Sequence, residues 1–341
     1  MQRFAWMSAR TVSQAAAAAT AITAELMTRP ADATPTEAAI VKAGGLDVLD
    51  LLKENLLAPA RLVSLREIPG LDVIAEEAGE LRIGAMATLA RVAADASVGQ
   101  RYPALADALR SAASPQIRNV ATLGGNLLQR PRCWYFRAEA FRCLRKGGGH
   151  CFAHGGENQY HAIFDNQACA IVHPSTAATV LVALGASVTL ADAGGATRRV
   201  LLEDFLVGPD QDMQRENDLR PHEILIAVHL PPASPDAGMA YLKQGQKESF
   251  DWPLADVAVV LERDPAGVCK RARVVLGAAA PVPYRAARAE AALTGRRVDE
   301  TLAKEAAQAA IQGATPLSRN GYKLPLFATL VRRAVLQAEA G

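Results

Sequence analysis

The sequence predicts an α+β fold in two parts, and three observations carry that prediction. Short strand and helix signals alternate through the first half of the chain, which argues for layered strands and helices. A turn-rich stretch, Pro231 to Gly238, holds three prolines and a glycine and reads as a boundary. Beyond it come three strand signals and then three helical patterns, the order expected of a small antiparallel sheet covered on one face. A chain of 341 residues is long enough for two such domains.

The elements follow in order. A short strand at Phe4–Trp6 precedes an amphipathic helix over residues 11–28, with Thr11 or Ser13 as its N-cap. Ala38–Ala43 is strand-like, runs into Gly44-Gly45 and gives way to a helical pattern at Leu46–Asn55. Arg61–Leu65 and Leu81–Ile83 read as strands, Thr88–Asp95 and Ala104–Ala112 as helices. Ala177–Leu184 is a predicted helix, and Ser187–Leu190 and Arg198–Leu202 are predicted strands. After the boundary the strands are Met239–Lys243, Ala255–Leu261 and Ala272–Leu276, and the helices Ala286–Leu293, Glu300–Gln312 and Leu324–Ala338.

Bulk properties exclude several function classes. With 50% apolar and 21% charged residues the composition is that of an ordinary globular protein. The formal charge of +2 gives no global attraction to nucleic acid or an anionic membrane. Aromatic residues at 5% are too few for base-stacking platforms. No apolar run reaches the roughly 18 residues that span a bilayer. Ala15–Ala19 is a poor signal peptide, because Thr20, Thr23, Glu25 and Thr28 interrupt it and no charged n-region precedes it. The expectation is a cytoplasmic chain, or a periplasmic one exported with a partner.

Two turns carry paired glycines. Val41-Lys-Ala-Gly-Gly-Leu-Asp47 sits between a strand and a helix, and Ala121-Thr-Leu-Gly-Gly-Asn126 repeats the idea. Glycine lets backbone approach a ligand and present N–H groups to an anion. Neither turn is a G-x-G-x-x-G fingerprint, so a Rossmann site is not supported. Each alone is equally a tight turn; together, flanked by Thr, Asn and Asp, they point to a pyrophosphate cradle.

Four of five cysteines, Cys133, Cys143, Cys151 and Cys169, follow directly. Clustering favours metal ligation over scattered structural thiols, while Cys269 stands apart in a strand-like segment as a small hydrophobe. The spacings C-x9-C, C-x7-C and C-x17-C match neither zinc knuckles nor the compact ferredoxin run, so spacing does not name the metal. Arg130, Arg132, Arg137, Arg142, Arg145 and Lys146 surround them against one acid, Glu139. Such cations suit an anionic thiolate cluster. A basic surface loop with free or zinc-bound cysteines is the plainer alternative.

At these residues the chain resembles the FAD-binding medium subunits of the xanthine dehydrogenase and molybdenum hydroxylase family, nearly end to end. Ala43-Gly-Gly-Leu-Asp47 resembles the first pyrophosphate loop, and Ile83-Gly-Ala-Met-Ala-Thr-Leu89 the strand and turn after it. Ile117-Arg-Asn-Val-Ala-Thr-Leu-Gly-Gly-Asn-Leu127 resembles the second flavin loop. Val275-Leu-Gly-Ala-Ala-Ala-Pro281, with Arg285 and Glu290, resembles the C-terminal flavoprotein domain. Leu128 through Cys169, with His173-Pro-Ser175, is similar to the subfamily of periplasmic aldehyde oxidoreductase flavin subunits that carry an extra [4Fe-4S] cluster.

The resemblance implies a two-part FAD-binding fold of the vanillyl-alcohol oxidase type plus a C-terminal α+β domain. The implied division is 1–232, FAD-binding with an iron–sulfur insertion at 128–173, and 233–341. It implies FAD held by Ala43, Gly44, Gly45, Leu46 and Asp47 and by Arg118, Thr122, Gly124, Gly125 and Asn126. Lys243 falls near the isoalloxazine, and Thr176 stands where the family usually has an aspartate. Cys133, Cys143, Cys151 and Cys169 would hold the cluster. The implied function is electron transfer from a partner [2Fe-2S] subunit to an external acceptor, beside a molybdenum-cofactor large subunit that does the substrate chemistry, with no catalytic acid or base here. A zinc-binding scaffold with a degenerate flavin site is the alternative.

Overall fold

A computed structural model describes residues 2–28, 37–247 and 250–341. Its described residues form three sheets. β1 (Ala5–Ser8), β2 (Ala39–Lys42) and β3 (Arg61–Ser64) make a parallel sheet in the order β1-β3-β2. Parallel neighbours need crossovers, and the helices Val12–Ala18 and Leu46–Lys53 lie on those connections. Thr11 is the N-cap of the first, its Oγ1 accepting from the N–H of Gln14 at 3.1 Å.

The single helix expected over residues 11–28 is broken into Val12–Ala18 and Thr23–Met27. The cause is competition from β2. Ala39 donates its N–H to Thr20 Oγ1 at 2.9 Å, and Ala21 donates to the Ala39 carbonyl at 3.2 Å.

A second sheet is antiparallel. β4 (Ile74–Glu77), β5 (Glu80–Gly84), β6 (Ser187–Asp192), β7 (Thr197–Leu201) and β8 (Glu223–Leu230) take the order β4-β5-β8-β6-β7. Neither β4 nor β8 is among the strands expected from the sequence. Ile224 to Val228 is a continuous apolar run without two-residue alternation, because β8 is the buried centre of the sheet. Between β5 and β6 the chain runs through the helix Pro103–Ser111, the second glycine turn and the cysteine segment. No helix among the described residues is long and apolar enough to cross a membrane.

β9 (Ala237–Gln244), β10 (Ala255–Arg263), β11 (Cys269–Gly277) and β12 (Tyr284–Arg285) make the third sheet, antiparallel in the order β12-β11-β10-β9. The helices Ala287–Leu293, Glu300–Ala310 and Lys323–Ala340 follow it. The sheet is covered on both faces, not one. Val257, Val259 and Leu261 pack with those helices, while Ala258 and Val260 join the core around the helices Pro103–Ser111 and Thr176–Ala183. Side-chain alternation along β10 thus feeds two cores, each buried valine or leucine contributing about 1.5–3 kcal/mol. Cys269 is fully buried on β11, as a small hydrophobe would be.

Candidate functional site

β2 ends at Lys42 and the chain turns through Ala43, Gly44 and Gly45 into the helix Leu46–Lys53. Both glycines are required. Gly45 caps the helix at φ 89°, a left-handed conformation that costs an L-residue about 1–2 kcal/mol. Gly44 passes so close to the second turn that a Cβ would lie 2.3 Å from the Val120 carbonyl oxygen. The first amides of a helix have no intrahelical acceptor and carry partial positive charge. Here their residues line a cavity, the geometry of an anion cradle.

The second turn is helical. Thr122 caps the short helix Leu123–Leu127, its Oγ1 accepting from Gly125 N–H at 3.1 Å. Leu123 and Gly124 donate to the carbonyls of Ala87 and Ala85, and Asn126 N–H donates to Thr122 O. The amides of this turn are engaged inside the protein. Its polar offering to the cavity is the Asn126 carboxamide, whose Oδ1 accepts from Ser175 Oγ at 2.7 Å.

One cavity of about 440 Å³ gathers Ala43, Gly44, Gly45, Leu46, Asp47, Thr122, Gly124, Gly125, Asn126, Thr176 and Lys243 on its wall. That volume lies in the range of small-molecule and cofactor sites. Arg118 is not on the wall. Its guanidinium turns back to donate to the carbonyls of Ala112 and Ala113 at 3.0 and 2.5 Å. Thr176 begins the helix Thr176–Ala183 and is buried. Lys243 on β9 donates Nζ–H to Ser111 O at 2.9 Å, and burial lowers its pKa. Phe250 and Trp252 are half-exposed on the rim, and the Arg132 guanidinium carbon sits 4.8 Å over the Trp252 ring.

Cys133, Cys143, Cys151 and Cys169 are free thiols that line one small void of about 10 Å³. Arg145, His161 and the rings of Tyr135, Phe136 and Phe152 complete its wall. Burial pushes the Cys133 thiol up to about 12. A hydrogen bond from Cys169 to Cys151 holds the Cys169 thiol well up and the Cys151 thiol down. His161 Nε2 lies 3.2 Å from Cys133 Sγ, and burial lowers this imidazole to about 4. Buried and half-buried thiols with a neutral imidazole and the cations Arg145 and Lys146 suit soft-metal chemistry, in which thiolates replace thiols.

Among the described residues, no three or more His, Cys, Asp or Glu side chains meet at a point that would hold a single ion. The four thiols surround a space instead. In an iron–sulfur cluster the thiolates bind separate irons.

The two sites are tied by charge. Asp47, on the first turn of its helix and on the cavity wall, is bound by the insertion. Its carboxylate takes Arg132 at 2.8 Å, Arg137 at 2.6 Å and the backbone N–H of Arg130 at 2.9 Å. Arg130 and Arg145 share Glu216 at 2.9 and 2.6 Å, all three buried.

Glu216, Trp252, Asp256 and Lys323 are not among the site residues expected from the sequence. Glu216 had one available signal: six cations against one acid in the insertion call for a counter-charge from elsewhere in the chain. Asp256 accepts from Tyr241 OH at 3.1 Å beneath Lys243, and Lys323 donates to the carbonyls of Ala278 and Tyr160 at 2.8 and 3.2 Å. Neither shows in the pattern of its own strand or helix.

Comparison with known proteins adds a second line. The FAD binding domain in molybdopterin dehydrogenase matches residues 2–233, and the CO dehydrogenase flavoprotein C-terminal domain matches residues 240–338. The chain is 35% identical to the aldehyde oxidoreductase FAD-binding subunit PaoB of Escherichia coli, over 90% of this chain and 96% of that protein. It is 26% identical to the carbon monoxide dehydrogenase medium chain of Hydrogenophaga pseudoflava, over 87% of this chain and 88% of that one. A solved structure of carbon monoxide dehydrogenase from that organism superposes with a TM-score of 0.73 at 27% identity, covering 99% of this chain and 98% of the other. Reconstituted CO dehydrogenase from Oligotropha carboxidovorans gives 0.74 at 25% identity, over 99% and 98%.

Proposed function

The chain belongs to the family of FAD-binding subunits of molybdopterin dehydrogenases, and from that premise we propose that it relays electrons within a molybdenum hydroxylase complex, from a partner iron–sulfur subunit to an external acceptor. FAD occupies the 440 Å³ cavity in this reading, and a [4Fe-4S] cluster is held by Cys133, Cys143, Cys151 and Cys169. The observation that carries it is a pairing: both glycine turns, Thr176 and Lys243 share one cavity, and beside it four thiols, two buried and two half-buried, face one void. The 35% identity to an aldehyde oxidoreductase subunit favours aldehydes as the substrate class of the large partner. The division of the chain is 1–232 and 233–341, with 128–173 as the cluster-bearing insertion.

When bound, FAD and the cluster supply two-electron and one-electron chemistry respectively. The protein's task is to hold and tune them. The helix Leu46–Lys53 would meet the diphosphate with its first amides, and the Asn126 carboxamide would meet it from the second turn. Lys243 would keep its proton on Nζ beside the ring, braced by the Ser111 carbonyl. Tyr135, Phe136 and Phe152 would exclude water from the thiolates. No side chain is needed as a general acid or base.

The test is the visible absorption spectrum of the purified protein before and after dithionite, with iron and zinc measured on the same sample. Flavin bands on a broad iron–sulfur shoulder, both bleached by reductant, are the expected result. A colourless protein with bound zinc overturns the proposal and leaves a scaffold. Flavin bands without iron overturn the cluster alone.

A further inference from the structure

Between the two sites lies a charge arrangement that neither glycine turns nor thiols require. Arg130 is on the wall of the large cavity and Arg145 is on the wall of the cysteine void. Both are at most 2% exposed, and both pair with Glu216, whose own exposure is 4%. Glu216 Oε2 is 2.9 Å from Arg130 Nε, and Oε1 is 2.6 Å from Arg145 Nη1. Glu216 also lines the large cavity. The guanidinia are locked by further bonds, Arg130 Nη2 to Gln214 O at 2.9 Å and Arg145 Nη1 to Arg215 O at 3.2 Å. Phe136 packs under the Arg130 guanidinium at 5.0 Å.

This triad carries one positive charge more than it neutralises. Burying an unbalanced charge is unfavourable unless an anion stands close by. The donors also remain incomplete: among the described residues, Arg130 Nη1 and Arg145 Nε and Nη2 are buried without a hydrogen-bond partner, and Arg130 Nε has only its ion-pair contact with Glu216. The excess charge and the unused donors border the two places where electrons would rest.

We infer that Arg130, Glu216 and Arg145 form a shared electrostatic element that sets the reduction potentials of both redox sites together, Arg145 acting on the cluster, Arg130 on the flavin and Glu216 on both. The inference rests on the cofactor reading above. Each reduction adds negative charge, so a fixed cation nearby raises a site's midpoint and a fixed anion lowers it. Guanidinium charge does not titrate in the working range, so the bias is permanent. These are positioning residues, not catalytic ones.

The experiment is an equilibrium redox titration of the purified complex, following the cluster by electron paramagnetic resonance and the flavin by absorption. Glu216→Gln is expected to move both midpoints to more positive potential, each by at least a tenfold change in its equilibrium, about 59 mV for the one-electron cluster and about 30 mV for the two-electron flavin. Arg145→Gln is expected to lower the cluster midpoint more than the flavin's, and Arg130→Gln the reverse. The pair deletions R145M/E216Q and R130M/E216Q each keep one buried cation and serve if a single variant fails to fold. The first should lower the cluster midpoint and raise the flavin's, and the second should do the opposite. Unmoved midpoints in proteins with full iron and flavin overturn the inference and leave the cofactor reading intact. Wild-type protein without iron overturns both.

Discussion

Arg137 holds Asp47 at 2.6 Å across the seam between the cysteine insertion and the helix that opens the first glycine turn. The same guanidinium reaches Asp50 at 2.9 Å, and its Nε and Nη2 donate to the carbonyls of Pro131 and Arg130. One side chain therefore fixes the cavity's anion cradle to the strand of chain that leads into Cys133. Asp47 is the acid expected in the first turn of a helix, and its cationic partners keep it from repelling an anion in the cavity.

Asp47→Asn keeps the shape and removes the charge. With both partners mostly buried, the expected loss is about 2 kcal/mol, and thermal unfolding with and without added FAD checks it. The flavin should also dissociate faster, since Leu46 and Gly45 move with Asp47. A variant with unchanged melting temperature and flavin retention would show that the seam is not set by this pair.

Gly44→Ala drives a methyl group against the Val120 carbonyl, where the gap is 2.3 Å and the obstacle is backbone. The two turns must part, at about 1–3 kcal/mol, and FAD content per chain should fall severalfold. Gly45→Ala meets the flexible end of Lys42 instead, and its penalty is the backbone strain at φ 89°, about 1–2 kcal/mol. Flavin stoichiometry after gel filtration should rank Gly44→Ala below Gly45→Ala, and the reverse order contradicts the close approach.

Asp256 supplies a pH signature. Burial, opposed by hydrogen bonds from Tyr241 and Thr179, raises its carboxyl to about 6 from 3.8. The folded state then holds a proton that the unfolded chain has released. Stability from this group is full below about pH 4 and falls as pH rises through 6, by on the order of 3 kcal/mol. Denaturant melts of Asp256→Asn against the parent between pH 4 and 7 should show that fall in the parent and its absence in the variant. Parallel curves would place the ionised form of Asp256 in the fold throughout.

Cys133→Ser tests the ligand set. Iron should drop while flavin stays bound, because the thiols and the cavity have separate walls. Iron and flavin assays on one preparation give the answer, and unchanged iron removes Cys133 from the set.

How legible the site is in the sequence depends on how local its causes are. Thr11, Thr122 and Gly45 act through residues a few positions away, so caps and turns can be read directly, whereas the close approach that requires Gly44 is to distant Val120. The strands Ala255–Arg263 and Cys269–Gly277 announce themselves by apolar content. The strand Glu223–Leu230 does not, because its partners, Leu81 and Ser187 among them, lie far off in the chain and burial on both faces erases alternation. Arg118 shows the converse. It sits inside the Ile117–Leu127 motif, yet its side chain serves the backbone at Ala112 and Ala113. Glu216 is half-legible for a third reason: the excess of cations in the insertion calls for a distant acid, but which acid answers is decided only when Arg130 and Arg145 are buried on it.

The cysteine insertion is also joinery. Asn158 bonds to Ser318, Asn166 to the Thr315 carbonyl, Asn320 to the carbonyls of His161 and Ala162, and Lys323 to that of Tyr160. Every one of these bonds crosses from the loop that bears the thiols to the segment entering the last helix. Oxidative injury to the thiols would therefore travel as a mechanical fault. It would loosen the grip of the carboxy-terminal helices on the rest of the molecule, and a protease should find that segment sooner in damaged protein than in intact protein.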